Sequence, residues 1–451
     1  MRRLRKLVAF LARERRLVDE RRPAVGLRRA TAARVRAHLE LDAVQSIPDM
    51  GRALEGLAAR IAALEGRAPD PAPAAAAAAP AAAPRRRRWE PAPPPPSGIP
   101  LANVRPRPRD ADEPLRVLGV NDMFPLATET YVYDEVASLR PHGAQIAWYR
   151  RFRGPSPTPV PEPVFEDFDE AMARFDPSVG IVHWLTTAGV ALPLFERHGL
   201  PFGIRTHSFD FDRLQLAQLL AHPLCVGAWT YSSPDYRFDG AHTLDPVFTS
   251  VDLLPEPPAR RDKVISISAG LPKKDWPLLL DAFERMDARD RRLVIGVTGD
   301  HEDCPSELVN ECMDREDPPL VQVNLDRAQA LRLISESAVL IYTLQPHIRF
   351  GMPMSLVEGL CAGCSVVVPD RPEALAYAGA YARPYRTADD IARHVHEVLA
   401  GGEAIAAEQE ANRAYGRARF CDPQAGAGFH QELLEGLSTC YARANSHSVS
   451  R

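Results

Sequence analysis

Apolar and polar positions alternate along residues 114–399 in two rhythms, one typical of strands and one typical of helices. Short runs of β-branched or apolar residues predict buried strands, and stretches with an apolar residue every third or fourth position predict the helices between them. The predicted strands are Arg116–Val120, Gly180–Trp184, Phe202–Thr206, Val226–Tyr231, Lys263–Ser268, Leu293–Thr298, Leu320–Asn324, Val339–Thr343 and Ser365–Pro369. The predicted helices include Glu129–Leu139, Pro277–Arg285, Arg327–Ser335, Leu356–Ala362 and Thr387–Leu399.

Alternating strands and helices over this length predict an α/β protein with parallel sheets covered by helices. Nine strands are too many for one compact unit, so we predict two doubly wound, Rossmann-like domains, residues 114–256 and 257–400. The Pro-rich, charged stretch Leu254–Asp262 is the predicted join. In residues 401–451, helical stretches continue to about Leu437, and a polar tail is expected after them.

The first 113 residues follow other patterns. Residues 1–66 read as a helical arm, and an apolar stripe flanked by arginines within residues 1–16 suits either a partner-packed helix or a helix on an anionic membrane. Apolar residues at 3-4-3-4-3 spacing over 47–64 predict a short coiled-coil seam and therefore a homo-oligomer. Residues 67–113, rich in Pro, Ala and Arg, predict a disordered linker.

Charge separates the same regions. Residues 1–110 hold 23 Lys and Arg against 11 Asp and Glu, whereas the remainder holds 32 against 48. The run Arg85–Arg88 is best read as solvated charge, so we expect no nucleic-acid partner. No apolar run reaches the roughly 18 residues of a membrane-spanning helix. Seven scattered Cys favour reduced thiols, and we expect a cytoplasmic protein, peripheral on the inner face of the membrane if the arm binds lipid.

Parallel sheets bind ligands where strands end and helices begin. In the first predicted domain Thr128, Thr130, His183 and His207 hold such positions, and we take them as candidates for acceptor binding. A helix N-cap explains either Thr equally well, and a structural role is the commoner one for a single His. The shared position of the two His favours a ligand-facing role for His207, whose neutral imidazole can donate a hydrogen bond to a sugar hydroxyl.

In the second predicted domain, Gly270, Lys273 and Lys274 follow a strand at a turn into a helix. A flexible glycine with two cations suits a diphosphate, which needs amide donors and positive charge. The alternative is a pair of solvated lysines. Because only four of the 55 basic residues are Lys, the adjacent pair favours a function.

A second loop, containing Gly351, opens a helix predicted to start at Met354 or Ser355. Glu358 lies one turn into this helix, where its carboxylate can accept two hydrogen bonds from a ribose diol. Cys361 and Cys364 form a CxxC pair. With no second CxxC or nearby His, we interpret them as small buried residues at a tight turn rather than as a metal or redox pair.

These motifs resemble those of retaining GT-B glycosyltransferases of family GT4. The segment FPLATETYVYDEV is similar to the family's FPxxSETFxxxE opening, and the similarity continues through THSFDF, YSSPDY, SAGLPKKDWPLLLDAF and FGMPMSLVEGLCAGCSVVVPD. It covers about Pro114–Leu437. The resemblance implies a GT-B fold with two Rossmann-like domains facing a cleft, the acceptor on the first and a nucleotide-sugar donor on the second, and last helices that cross back to the first.

The resemblance also assigns roles by position. Lys274 matches the family's donor-phosphate lysine, Glu358 matches the second Glu of its E-x7-E motif, which holds the ribose, and His207 matches a His near the transferred sugar. These three are the implied catalytic residues. The implied donor site adds Gly270, Lys273, Arg349, Phe350, Gly351 and Ser355.

Three residues depart from the family pattern. Phe350 stands where the first Glu of E-x7-E is expected, Ala269 where an Arg is usual, and Asp275 where a Gly is usual. In the family the first Glu contacts the donor sugar near the reacting carbon, so its loss alters sugar recognition or lowers activity. Lys273 and Arg349 are the expected substitutes for the lost polar contacts.

The resemblance therefore implies transfer of a sugar, with retention, from a nucleotide diphosphate-sugar to a glycan, lipid-linked or small-molecule acceptor. No cofactor or metal is expected, because Lys274 and loop amides can supply the positive charge. Phe350 keeps open a catalytically impaired protein that binds a nucleotide or sugar and is tethered by its N-terminal arm. A GT-B epimerase or phosphorylase is disfavoured by the opening segment.

Overall fold

The computed structural model describes residues 98–107, 113–126, 129–154, 160–207, 211–287, 289–298 and 304–449. Several predictions fall outside these residues: the helical arm 1–66 with its membrane contact and oligomer seam, most of the linker 67–113, and the acceptor candidate Thr128. The prediction of a disordered linker is wrong for residues 98–107, where Leu101–Asn103 form a 3-10 turn and Val104 is buried in a hydrophobic core.

Seven parallel strands form the first sheet, in the order β3-β2-β1-β4-β5-β6-β7. The strands are β1 (Arg116–Phe124), β2 (Gln145–Arg153), β3 (Val164–Phe165), β4 (Val179–His183), β5 (Phe202–Arg205), β6 (Cys225–Thr230) and β7 (His242–Thr243). Four helices connect them: α1 (Thr130–Ala137), α2 (Phe168–Arg174), α3 (Leu185–His198) and α4 (Arg213–Leu220). We call residues 113–254 the first lobe.

Six parallel strands form the second sheet, in the order β10-β9-β8-β11-β12-β13. The strands are β8 (Lys263–Ser268), β9 (Leu293–Val297), β10 (Leu320–Gln322), β11 (Ser337–Ile341), β12 (Ser365–Pro369) and β13 (Arg383–Tyr385). The helices are α5 (Trp276–Arg285), α6 (Cys304–Met313), α7 (Arg327–Ser335), α8 (Met354–Ala362), α9 (Pro372–Ala378) and α10 (Ala388–Ala400). We call residues 263–400 the second lobe.

The central strands are buried on both faces, as their unbroken apolar sequences require. All five residues of β9, β11 and β12 are buried, because helices cover both sides of a parallel sheet. The helix after β13 starts with a reciprocal capping box between Thr387 and Asp390 and ends at Gly401, whose φ of 74° suits glycine. The predicted α/β architecture is confirmed.

Strand order reverses direction at one place in each sheet. In the first sheet β1 lies between β2 and β4, and in the second β8 lies between β9 and β11. Loops that leave such neighbouring strands on opposite faces open a crevice at the carboxyl ends of the strands. The segments after β1, β4, β8 and β11 are therefore the places where a ligand is expected.

Two long helices follow the second lobe, α11 (Glu403–Phe420) and α12 (Pro423–Val449). The first packs on α8 so closely that a Cβ at Gly416 would lie 2.7 Å from the Cys361 nitrogen. The second joins the core of the first lobe through its buried apolar residues, Phe429, Leu433, Leu437 and Cys440. The prediction that the helical stretches end near Leu437 and give way to a tail is wrong, because the helix continues to Val449.

No helix in the described part of the chain is both long enough and apolar enough to traverse a bilayer.

Candidate functional site

A cavity of about 440 Å³ lies between residues of the two lobes, at the carboxyl ends of the strands where the strand order of each sheet reverses. The first lobe contributes Glu129, Thr130 and Tyr131 after β1, Trp184 after β4, and His207 and Tyr231. The second lobe contributes the turn after β8, the loop after β11 and the start of α8. Eight of the predicted site residues line it: Thr130, His207, Lys273, Lys274, Arg349, Gly351, Ser355 and Glu358.

Three other predicted residues are described but do not line this cavity. Gly270 shapes the turn after β8 with a φ of 66°, and its N–H donates to Oγ of Ser268 at 3.2 Å. Phe350 is fully buried in the core of the second lobe. His183 is fully buried behind His207.

Lys274 is the best-placed cation of the cavity. It ends the short 3-10 turn Pro272–Lys274, and its Nζ lies 2.9 Å from the Tyr342 hydroxyl and 4.2 Å from the centre of that ring. Burial, reinforced by the neighbouring charge of Lys273, lowers the pKa of Lys274 well below its usual range. Burial also lowers the pKa of Lys273 to about 8. An arriving anion would favour the charged form of both amines.

Asp275 follows Lys274 in a left-handed backbone conformation, with φ 50° and ψ 54°. Glycine adopts this region without strain, and Asp and Asn are the side chains that tolerate it best. The departure at this position therefore keeps the turn that places Lys274.

The start of α8 offers backbone donors to the same cavity. Pro353 is its N-cap and Met354 its first residue, so the first turn of the helix has N–H groups without partners inside the helix. Such a terminus attracts anions. The predicted start at Met354 is confirmed, and Ser355 lies in the first turn, with Glu358 one turn further on.

Arg327 is a cavity residue that sequence reasoning missed. Its Nη1 donates a hydrogen bond to Oε1 of Glu358, and its Nη2 lies 3.6 Å from Oδ2 of Asp134 in the first lobe. Burial raises the pKa of Glu358, and Arg327 opposes that rise. One feature of the sequence could have indicated it. Arg327 is the first residue of α7, where a cation is unfavourable beside the positive end of the helix dipole, so an Arg at this position suggests a nearby anionic partner.

Asp134 is itself held by two hydroxyls of the segment that leaves the first lobe. Its Oδ1 accepts hydrogen bonds from Thr249 at 2.5 Å and Ser250 at 2.8 Å. Asp134, Arg327 and Glu358 therefore form a chain of charges from α1 to α8, across the two lobes.

His207 belongs to a buried hydrogen-bonded row. Its Nε2 lies 3.2 Å from Nδ1 of His183, and its Nδ1 lies 3.1 Å from the Tyr231 hydroxyl. Burial, with Arg205 as the second cause, lowers the pKa of His183 to about 3 and lowers that of His207 strongly. These shifts favour the neutral form of both imidazoles, and a sugar hydroxyl would compete with the partners of His207.

Metal-ligating groups come together at two places in the described residues. Glu135, His183 and His207 are close enough to share an ion, but Arg205 already bonds both oxygens of Glu135 at 2.8 Å. Asp287, Asp290 and His396 form the other group, away from the cavity.

The CxxC pair is divided between different partners. Cys361 Sγ lies 3.6 Å from Cys421 Sγ, whereas Cys364 Sγ donates to the carbonyl oxygens of Ile334 and Ser337 at 3.3 Å each. Gly363 between them has a φ of 77° and ends α8. These contacts agree with the interpretation of both cysteines as buried residues at a helix-to-strand turn.

Solved structures of known proteins share this fold. No protein-family model and no curated protein matches the sequence. Anabaena HepE, solved in complex with UDP-glucose, matches with a TM-score of 0.56 at 13% identity, over 72% of this chain and 100% of that one. Sucrose-phosphate synthase from Thermosynechococcus elongatus matches with a TM-score of 0.53 at 13% identity, over 70% and 98%. A glycosyltransferase from Rickettsia africae matches with a TM-score of 0.53 at 11% identity, over 71% of this chain and 99% of that one.

The chain has a GT-B fold. The predicted fold class is confirmed by these structures together with the two parallel sheets. Identities of 11–13% show a shared fold and nothing about a shared chemistry.

Proposed function

We propose that the protein is a glycosyltransferase that moves a sugar from a nucleotide diphosphate-sugar to an acceptor hydroxyl, with retention of the anomeric configuration. One observation carries the proposal. The cavity between the lobes brings Lys273 and Lys274 together with the N-terminus of α8 and the carboxylate of Glu358. Cations and amides suit a diphosphate, and a carboxylate suits a ribose diol, so the set matches a nucleoside diphosphate.

The charge of the cavity supports an anionic ligand. Four cationic side chains line it against two carboxylates: Lys273, Lys274, Arg327 and Arg349 against Glu129 and Glu358. Since Arg327 is paired with Glu358, the excess positive charge lies at the two lysines and Arg349. Positive charge in a partly enclosed cleft raises the local concentration of anions and stabilises negative charge that develops there.

The proposed reaction uses this charge on the leaving group. The bond between the anomeric carbon and the diphosphate oxygen breaks, and Lys274 with the first-turn amides of α8 stabilises the developing negative charge. The acceptor hydroxyl attacks the carbon from the face that the diphosphate leaves, which preserves configuration. Its proton passes to the departing diphosphate, so atoms and charges balance without a cofactor, and the lysines take the role that a metal has in other sites.

The first lobe supplies the side of the cavity that faces the proposed sugar and acceptor. Thr130, Tyr131, Trp184 and His207 line it there. The Trp184 and His207 rings lie 4.5 Å apart, and the Tyr131 and His207 rings lie 4.8 Å apart. Aromatic faces with a few polar groups are a common surface for carbohydrate and aglycone binding.

Binding and turnover test the proposal separately. Isothermal titration with UDP and GDP should show binding of one of them, with UDP tried first because HepE was solved with UDP-glucose. Lys274→Ala should weaken binding at least tenfold, while Lys263→Ala, at an exposed ion pair with Glu336, should not. No binding of either nucleotide would refute the proposal.

The alternative is a catalytically impaired protein of the same fold that binds a nucleotide or sugar. The burial of Phe350 supports it, because no carboxylate stands at that position. Release of nucleoside diphosphate from several donor sugars decides between the two. Tight nucleotide binding without any release over a broad donor panel would favour the alternative.

A further inference from the structure

A pair of aromatic rings connects Phe350 to Lys274. Tyr342 directly follows β11, and its hydroxyl oxygen accepts a hydrogen bond from Nζ of Lys274 at 2.9 Å. The same ammonium group lies 4.2 Å from the centre of the Tyr342 ring, within cation–π distance. Phe350 packs edge-on against Tyr342, with ring centres 5.8 Å apart.

Tyr342 is well fixed at this place. Its side chain is buried, and its backbone N–H donates to the carbonyl oxygen of Val367 in β12 at 2.9 Å. Two residues after it form hydrogen bonds with the backbone of the turn that carries the lysines. Thr343 Oγ1 donates to the Lys274 carbonyl, and the Gln345 N–H donates to the Lys273 carbonyl at 3.0 Å. The loop after β11 thus holds both the backbone and the side chain of the turn.

We propose that Tyr342 is a positioning residue for Lys274, and that Phe350 supports the Tyr342 ring in that role. The inference rests on the proposed function, in which the Lys274 ammonium stabilises the leaving diphosphate. It assigns a purpose to the residue that breaks the E-x7-E pattern: Phe350 acts through Tyr342 and Lys274 rather than by touching a sugar.

The contact between Tyr342 and Lys274 has a consequence for protonation. Burial and the charge of Lys273 disfavour the ammonium form of Lys274, whereas a hydroxyl acceptor and an aromatic face both favour it. Loss of the hydroxyl should therefore lower the pKa of Lys274 further. The titratable groups around this pair include, at the cavity, Lys273, Arg327, Arg349, Glu129, Glu358, His207, Tyr131 and Tyr231, and, near the Tyr342 ring, Tyr236, Arg371 and Tyr385.

The test exploits the scarcity of lysine. The chain contains four, so the full-length protein labelled with 13C at the lysine Cε gives four signals, and Lys274→Arg assigns the one of interest. In Tyr342→Phe the titration midpoint of Lys274 should fall by about one pH unit, the equivalent of a hydrogen bond to a charged group. UDP affinity should then drop about tenfold at a pH above both midpoints and much less at a pH below both, where the amine is charged in both proteins.

A neighbouring tyrosine provides the control. Tyr385, the last residue of β13, accepts a hydrogen bond from the Leu344 N–H at 3.2 Å, so Tyr385→Phe removes a hydroxyl that holds the loop after β11 but does not contact Lys274. It should leave the Lys274 midpoint unchanged, and Phe350→Ala should lower it in the same direction as Tyr342→Phe. Repeating the titrations with Lys273→Met separates the two adjacent lysines.

The outcomes distinguish this inference from the proposed function. An unchanged Lys274 midpoint in Tyr342→Phe, or a loss of UDP affinity equal at every pH, would overturn the positioning role. A shifted midpoint in a protein that binds neither UDP nor GDP would uphold the positioning of Lys274 and refute the glycosyltransferase assignment instead.

Discussion

The Arg205 guanidinium bonds both carboxylate oxygens of Glu135 at 2.8 Å, in a place where each side chain is 1% exposed. Glu135 is the last residue of the FPLATETYVYDE segment, and Arg205 ends β5, two residues before His207. The pair therefore ties α1 to the strand that carries His207. This glutamate holds the cavity wall together, and it does not line the cavity.

Breaking the pair should destabilise the protein strongly. Glu135→Gln leaves a buried guanidinium without its counter-charge, which typically costs about 3–5 kcal/mol. We expect that loss in the free energy of unfolding from denaturant titrations. Glu170→Gln, which removes the exposed partner of Arg174, is the matched control and should cost less than about 1 kcal/mol. Equal effects of the two substitutions would contradict a structural role for the buried pair.

Arg327 should set the pH range in which nucleotide binds. Burial raises the pKa of Glu358 and Arg327 counteracts it, so Arg327→Met should raise that pKa further. The variant would then lose its carboxylate charge at a higher pH than the unsubstituted protein does, so its affinity for UDP should begin to fall at a higher pH as the solution is acidified. Titration calorimetry at three pH values checks this.

Arg332→Met serves as the control for that experiment, because Arg332 is exposed on the same helix. It should bind UDP as the unsubstituted protein does at each pH. A constant affinity of Arg327→Met across the range would count against control of Glu358 by Arg327.

His183 and His207, two of the buried histidines, should make the protein sensitive to acid. In the unfolded chain a histidine binds its proton near pH 6.5. In the folded protein burial lowers the pKa of His183 to about 3, and that of His207 is lowered in the same direction. Between these values the unfolded state binds more protons, so the free energy of unfolding falls as pH falls below about 6.5.

Each histidine contributes at most about 1.4 kcal/mol per pH unit to this slope. His183→Gln should remove one of the two contributions, which denaturant titrations between pH 7.5 and 5 can measure. If His183→Gln and the unsubstituted protein lose stability in parallel, the inferred neutrality of His183 is incorrect.

Asp275 should tolerate glycine and reject a β-branched residue. Its φ of 50° lies in the left-handed region, where Asp275→Gly relieves strain and Asp275→Val adds about 1–2 kcal/mol. We expect the glycine variant to keep the melting temperature and UDP affinity of the unsubstituted protein. In the valine variant both the melting temperature and the UDP affinity should be lower, because the turn carries Lys274. Identical behaviour of the two variants would show that the turn does not depend on this conformation.

Sequence patterns located nine of the thirteen described strands and missed β2, which lies inside the first sheet, and the edge strands β3, β7 and β13. The predictions Lys263–Ser268 and Ser365–Pro369 coincide with β8 and β12, because strands covered on both faces have mostly apolar residues between their ends. The strand β2 escaped prediction because its second half, with Arg150, Arg151 and Arg153, looks like solvated charge. The short strand β13 contains a proline and lies at an edge of its sheet.

The sequence predicted the site residues that lie at the ends of strands or at the starts of helices. Lys274, Glu358 and His207 follow strands or open helices, and the cavity contains all three. The partners of these residues were not predictable, because Tyr342 and Arg327 reach them through contacts between segments 31 to 68 residues apart. Local patterns carry no information about such contacts, which depend on how the sheets are covered and how the lobes face each other.

The helix α12 has a consequence for how the protein is made. Its Phe429 and Leu433 pack among core residues of the first lobe, and the Trp229 Nε1 donates to Glu432 at 2.6 Å. Gly436 permits direct contact with β6, since a Cβ there would lie 2.2 Å from the Val226 carbonyl oxygen. The first lobe is translated early, but part of one face of its sheet stays uncovered until residues 423–449 have left the ribosome. A nascent chain stalled before this helix is therefore a natural client for chaperones.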